Sequence, residues 1–94
     1  MDQIPNYWQM FAEGASELTR MSTMAIAQKE VDTDLLEDMN DILGMLAEII
    51  LMGGSKMPLD TAMYHVEKEL VADASLGYVK RLKRILAEQQ TISA

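Results

Sequence analysis

Six carboxylates, Glu30, Asp32, Asp34, Glu37, Asp38 and Asp41, fall close together in the first half of the chain. A calcium loop needs oxygen ligands at alternating positions and a glycine at its turn. Leu35 and Leu36 interrupt this run and no glycine falls within it, so the spacing does not build such a loop. Asp34, Asp38 and Asp41 instead lie four and three apart, which places them on one face of a helix. The expectation is a solvated acidic face whose first turn complements the helix dipole, with Asp34, Asp38 and Asp41 as candidate contacts to a basic partner.

His65 and Glu69 are one helical turn apart and could share a metal, but the chain has a single histidine and no second ligand pair of that kind. Gly53-Gly54-Ser55-Lys56 has some of the letters of a phosphate loop, without its glycine spacing and without a preceding strand, and reads as a helix stop and turn. Cysteine is absent, which removes thiolate nucleophiles, thiolate metal sites and disulfides. No nucleophile, base and orienting group can be assembled from what remains. The chain is read as a non-enzyme, with no cofactor and no metal.

Two clusters suit binding. Tyr7, Trp8 and Phe11 crowd the opening turns and could anchor in a groove on a partner, or pack on the chain's own helices. Lys80, Arg81, Lys83 and Arg84 follow Tyr78 on a helical segment. With residues 66–86 taken as a helix-turn-helix, Ser75 would cap the reading helix. Tyr78, Lys80 and Arg81 would then meet bases, and Lys83 and Arg84 phosphates. The turn lacks its customary glycine, and Gly77 falls inside the proposed reading helix instead.

The elements that must position these groups are helical. Ninety-four residues make one domain, 49% hydrophobic, with nine methionines, two prolines and a net charge of −7. Residues 1–73 carry 14 acidic and 4 basic side chains, and residues 74–94 carry 1 and 4, so the charge is lopsided. An acidic bulk opposes non-specific binding to nucleic acid or membrane. No leader-like segment and no apolar run long enough to cross a bilayer is visible, and a cytoplasmic location is expected.

Punctuation at residues 30–33 and 53–58 divides the chain into helices of about 5–29, 34–52 and 58–89, with a fraying tail at 91–94. In the first, Ile4, Tyr7, Trp8, Phe11, Ala15, Leu18, Met21 and Ala25 recur at helical spacing. Gly14 and Ala15 leave room for another helix. The second opens with an Asp34–Glu37 capping box, with Asp32 and Thr33 as competing caps, and ends at Gly53-Gly54 as a left-handed stop. Its main apolar stripe is Leu36, Met39, Leu43, Leu46 and Ile50, widened by Leu35, Ile42 and Ile49. In the third, the stripe changes phase near residues 72–75. A single long helix is favoured over two, because Asp73, Ala74 and Ser75 cost little inside a helix.

The fold expected is all-α, a small three-helix bundle or helical hairpin about a central apolar second helix, compatible with an oligomer. The leading functional expectation is a non-enzymatic protein–protein interaction module, a small adaptor, inhibitor or chaperone-like regulator. It would associate with itself or pack on a helical partner, and Leu43→Asp or Ile50→Asp would destroy both fold and assembly. The alternative is a DNA-binding regulator using residues 66–86. A third is an acidic inhibitor that mimics nucleic acid before a basic protein.

Overall fold

The computed structural model describes residues 3–68 and 76–93, and their regular structure is entirely helical. Four helices follow in order: α1 (Tyr7–Ala27), α2 (Thr33–Gly54), α3 (Leu59–Lys68) and α4 (Leu76–Ser93).

The helix ends follow from side chains that satisfy orphan amides. Asn6 caps α1, its Oδ1 accepting from the Gln9 amide at 3.1 Å. Asp32, the first carboxylate able to turn the extended chain into the helix, caps α2 by accepting from the Leu35 amide at 3.2 Å. The cap therefore lies two residues before Asp34, which falls in the first turn and complements the dipole there. The stop of α2 also differs from expectation. Neither Gly53 nor Gly54 has a positive φ; Lys56 does, at 54°. The Lys56 amide donates to the Gly53 carbonyl at 3.1 Å and the Met57 amide to the Met52 carbonyl at 3.0 Å, the paired bonds of a Schellman motif. Gly53 serves proximity instead: a Cβ there would lie 3.2 Å from that of Tyr7.

α1 and α2 form an antiparallel hairpin, with Gly14 against Leu46 and Gly53 against Tyr7. α4 lies on α1: the Tyr78 hydroxyl donates to the Met10 carbonyl at 2.7 Å, and Gln89 accepts from the Asn6 amide at 2.8 Å. α3 lies on α2, where His65 Nε2 sits 3.2 Å from a Glu48 carboxylate oxygen. α3 and α4 also pack on each other, so they form a second layer under the hairpin. The whole measures 52 × 20 × 20 Å.

That packing corrects the single long helix expected over 58–89, since a straight helix cannot bring its own two halves into contact. The phase change in the apolar pattern marks two helices, each turning its own stripe inward: Leu59, Ala62 and Val66 on α3, and Tyr78, Val79, Leu82, Ile85 and Leu86 on α4. The proposed turn at residues 73–75 lies outside the described residues, as does Glu69, the expected partner of His65.

The core also departs from the expected stripes. On α2 the buried set is Leu35, Ile42, Met45, Leu46, Ile49 and Met52, while Leu36, Leu43 and Ile50 are at least half exposed. On α1 the buried set is Met10, Gly14 and Met21; Trp8 is 84% exposed. On α2 Leu36, Leu43 and Ile50 of the main stripe lie outside, whereas on α1 Met21 is buried and Tyr7, Phe11, Leu18 and Ala25 pack against the core as expected. The core is lined by Leu35, Ile42, Leu46 and Ile49 of α2, together with methionines, which fill irregular space between helices, and Gly14. Leu43→Asp and Ile50→Asp are therefore not core substitutions, contrary to expectation.

Gly14 is where α1, α2 and α4 meet. A Cβ built there lies 2.5 Å from Leu46 Cδ2 and 2.6 Å from the Tyr78 hydroxyl. Gly14→Ala should lower the unfolding free energy by about 1–3 kcal/mol through overpacking, despite alanine's better helix propensity. Tyr78→Phe should cost about 1 kcal/mol for the lost hydrogen bond. Urea titration followed by circular dichroism measures both; a stabilised Gly14→Ala would contradict this packing.

Candidate functional site

The two layers have different outer surfaces. Charged side chains on the hairpin helices are turned toward the α3–α4 layer or its flank. Arg81 of α4 reaches Glu17 at 3.2 Å and Glu13 at 3.8 Å, Arg20 bonds to Glu17, and Glu48 meets His65. Asp34, Asp38 and Asp41 continue the column of Glu48 at spacings of four, three and seven along α2.

On the opposite face the outward seam positions carry no charge, and exposed Glu37 borders them on α2. Along α2 they are Leu36, Asn40, Leu43, Ala47, Ile50 and Gly54. Along α1 exposed Trp8 is followed by Phe11, Ala15, Leu18, Ser22 and Ala25, a half-buried edge whose Phe11, Leu18 and Ala25 also touch the core. Both series alternate steps of four and three, the spacing of a helix seam that expects another helix against it. Because the helices are antiparallel, Phe11 lies beside Ile50 and Ala25 beside Leu36, both pairs lining pockets. Leu18 and Leu43 fall between them.

At the base of the hairpin this face opens into a groove of about 530 Å³, walled by Tyr7, Trp8, Phe11, Ile50, Gly53 and Gly54. Tyr7 is fixed in the wall: its hydroxyl donates to the Met57 carbonyl at 2.7 Å, and burial pushes its pKa up to about 12. At the other end, the hairpin tip, Ile26 is 85% exposed and Val31 79%. Burying an aliphatic side chain outright is worth about 1.5–3 kcal/mol. Leu36, Leu43, Ile50, Leu51 and Trp8 leave much of that gain unused in the single chain. Gly44, exposed near the middle of α2, has nothing within 4 Å of its would-be Cβ. No packing inside the chain offsets its helix cost of about 1 kcal/mol.

The expected site residues divide accordingly. Tyr7, Trp8 and Phe11 come together at the groove. Asp34, Asp38 and Asp41 are not on its face, and no ion pair joins them to α4 among the described residues. Of the basic cluster, Tyr78 is only 2% exposed, and burial raises its hydroxyl pKa. It is a core residue rather than a surface contact, because α4 needs one large side chain to reach across Gly14. Arg81 lies 5.9 Å over the Tyr78 ring and is held by Glu13 and Glu17; the basic helix docks on α1, not on the acidic run at 30–41. Lys80, Lys83 and Arg84 stay exposed on the far layer, where Arg84 makes a loose pair with Glu88 at 3.9 Å.

Leu36, Leu43 and Ile50 belong to the expected core stripe and lie at the surface instead; Ala47 and Gly44 beside them carry no expectation from the sequence. The available signal was the duplicate period on α2: 35, 42, 49 beside 36, 43, 50, two apolar columns one residue apart. Among the described residues no group of acidic, histidine or cysteine side chains could hold a metal ion, and no helix is long and apolar enough to cross a membrane. No family model, curated protein or solved structure matches this chain.

The hydrogen bond from Arg20 holds the Glu17 carboxyl below its usual pKa of 4.5, with the charges of Arg20 and Arg81 adding to it against a smaller burial effect. A depressed folded-state pKa stabilises the fold above the unfolded value, and that contribution is lost as pH falls through the folded value. Stability measured by urea titration should therefore drop on acidification below pH 4.5. Glu17→Gln should flatten part of that acid limb; an unchanged limb would mean the carboxylate is not engaged.

Proposed function

We propose that the chain is a non-enzymatic interaction module, a small adaptor, inhibitor or chaperone-like regulator. It offers the outer face of the α1–α2 hairpin to a helical partner or to a second copy. One observation carries this reading: α2 leaves Leu36, Leu43, Ile50 and Leu51 at least half exposed beside the exposed Trp8 of α1, while Glu13, Glu17 and Glu48 of the same helices are turned to α3 and α4. A helix face left to water ordinarily carries charge, and large uncharged apolar surfaces mark interaction sites. A cysteine-free chain suits the cytoplasm.

The DNA-binding alternative has less support. Tyr78 is withdrawn into the core and Arg81 is engaged by carboxylates, which leaves Lys80, Lys83 and Arg84 without the base-reading partners the motif requires. A photo-crosslinking residue introduced at position 43, and separately at position 83, would test the reading in living cells. Crosslinks to protein are expected at position 43 and few at 83. Crosslinks confined to 83, or to nucleic acid, would contradict it.

A further inference from the structure

The outer face of the hairpin has the dimensions, the charge distribution and the end-to-end shape to fit itself. We propose that its occupant is a second copy of this chain, packed antiparallel about a twofold axis through Leu43. The inference rests on the interaction reading above and names the partner.

Size is the first consideration. α2 has 22 residues, about 33 Å of helix at 1.5 Å per residue, and two helices side by side are about 20 Å wide. The corrugated surface of such a face approaches the roughly 800 Å² per partner that a standard stable interface buries.

Charge decides the direction. The tip of the hairpin is net acidic, with Glu30, Asp32 and Asp34 exposed beside Lys29; the base carries Lys56 and Asp60, both exposed, which balance each other. Two copies packed parallel would bring two acidic tips together. Packed antiparallel, each acidic tip lies over the other copy's balanced base, and the two acidic tips are separated by the length of the hairpin. Such avoidance of like charge fixes orientation even where it adds little affinity.

Shape agrees with charge. Ile26 and Val31 at the tip are among the most exposed aliphatic side chains of the chain, and the apolar groove lies at the base. Antiparallel pairing sets each tip against the other's groove, so the match occurs twice. Along α2 the same axis faces Leu43 with its symmetry mate and Leu36 with Ile50, all of them exposed in the single chain. Gly44, adjacent to the axis and unoccupied within its own chain, lets the two α2 backbones approach. Such self-complementarity is what a closed twofold interface requires.

The test uses the full chain, which contains no cysteine. Sedimentation velocity over a concentration series should show a monomer–dimer equilibrium. Ile50→Asp should weaken it on the order of 100-fold, since a charge would be buried unpaired, with the helical circular dichroism retained. Under mild oxidation Leu43→Cys should form a disulfide dimer at least about tenfold faster than Lys83→Cys, because only residues at the axis come within the roughly 4.4–6.8 Å between Cα atoms that a disulfide spans. A chain that stays monomeric overturns the inference, as does a dimer indifferent to Ile50→Asp, or one in which Lys83→Cys crosslinks as fast as Leu43→Cys. A monomer that still crosslinks to another protein at position 43 overturns the second copy alone. A monomer with no protein contact at position 43 overturns the interaction reading as well.

Discussion

At Gly14 three helices share the space that one methyl group would fill. Leu46 of α2 and the Tyr78 hydroxyl of α4 both stand closer to that point than a real Cβ tolerates, and the hydroxyl completes its bond to the Met10 carbonyl one turn away. This contact sets the spacing of the hairpin, fixes α4 on α1, and so brings Arg81 to Glu13 and Glu17. α3 follows, packed on α4 and tied to α2 through His65 and Glu48. Everything that makes the lower layer closed and charged derives from this approach, and the upper face is left open by it.

The open face is a consequence of packing two layers with unequal chemistry. A four-helix arrangement in water buries one face of each helix and exposes a charged one. Here α2 turns one apolar column inward and leaves a second outward, while Glu13, Glu17 and Glu48 serve the lateral contacts with α3 and α4. The inward methionines, Met10, Met21, Met45 and Met52, tolerate the irregular crossings that Gly14 imposes. Outward, Leu36, Leu43 and Ile50 keep a stricter spacing, as a seam for a straight helix does. The interior is adapted to the chain's own helices, and the exterior is ready for another one.

The sequence made the helical class, the hairpin turn near residues 28–32 and the room at Gly14 legible, because periodicity, caps and a mid-helix glycine are local signals. It did not reveal which apolar column of α2 is inside. Leu36, Leu43 and Ile50 form the more regular stripe, so they were assigned to the core, yet burial depends on where α1 and α4 sit and not on regularity. Trp8 shows the same limit: its aromatic neighbours Tyr7 and Phe11 pack partly against the core, while it faces water. Tyr78 and Arg81 looked like a basic surface because their charge and polarity are local, whereas their partners, Met10, Glu13 and Glu17, lie more than sixty residues away in sequence.

Ile42 and Leu43 are neighbours in sequence and stand on opposite sides of this account. Ile42 is 2% exposed and Leu43 52%. The most direct measurement is the unfolding free energy, in dilute solution, of Ile42→Glu and of Leu43→Glu. Ile42→Glu should abolish the cooperative transition or cost more than about 3 kcal/mol, as an unpaired charge in a core does. Leu43→Glu should stay within about 1 kcal/mol of the unaltered chain. Collapse of Leu43→Glu, with Ile42→Glu tolerated, would mean that the hairpin turns its other face inward.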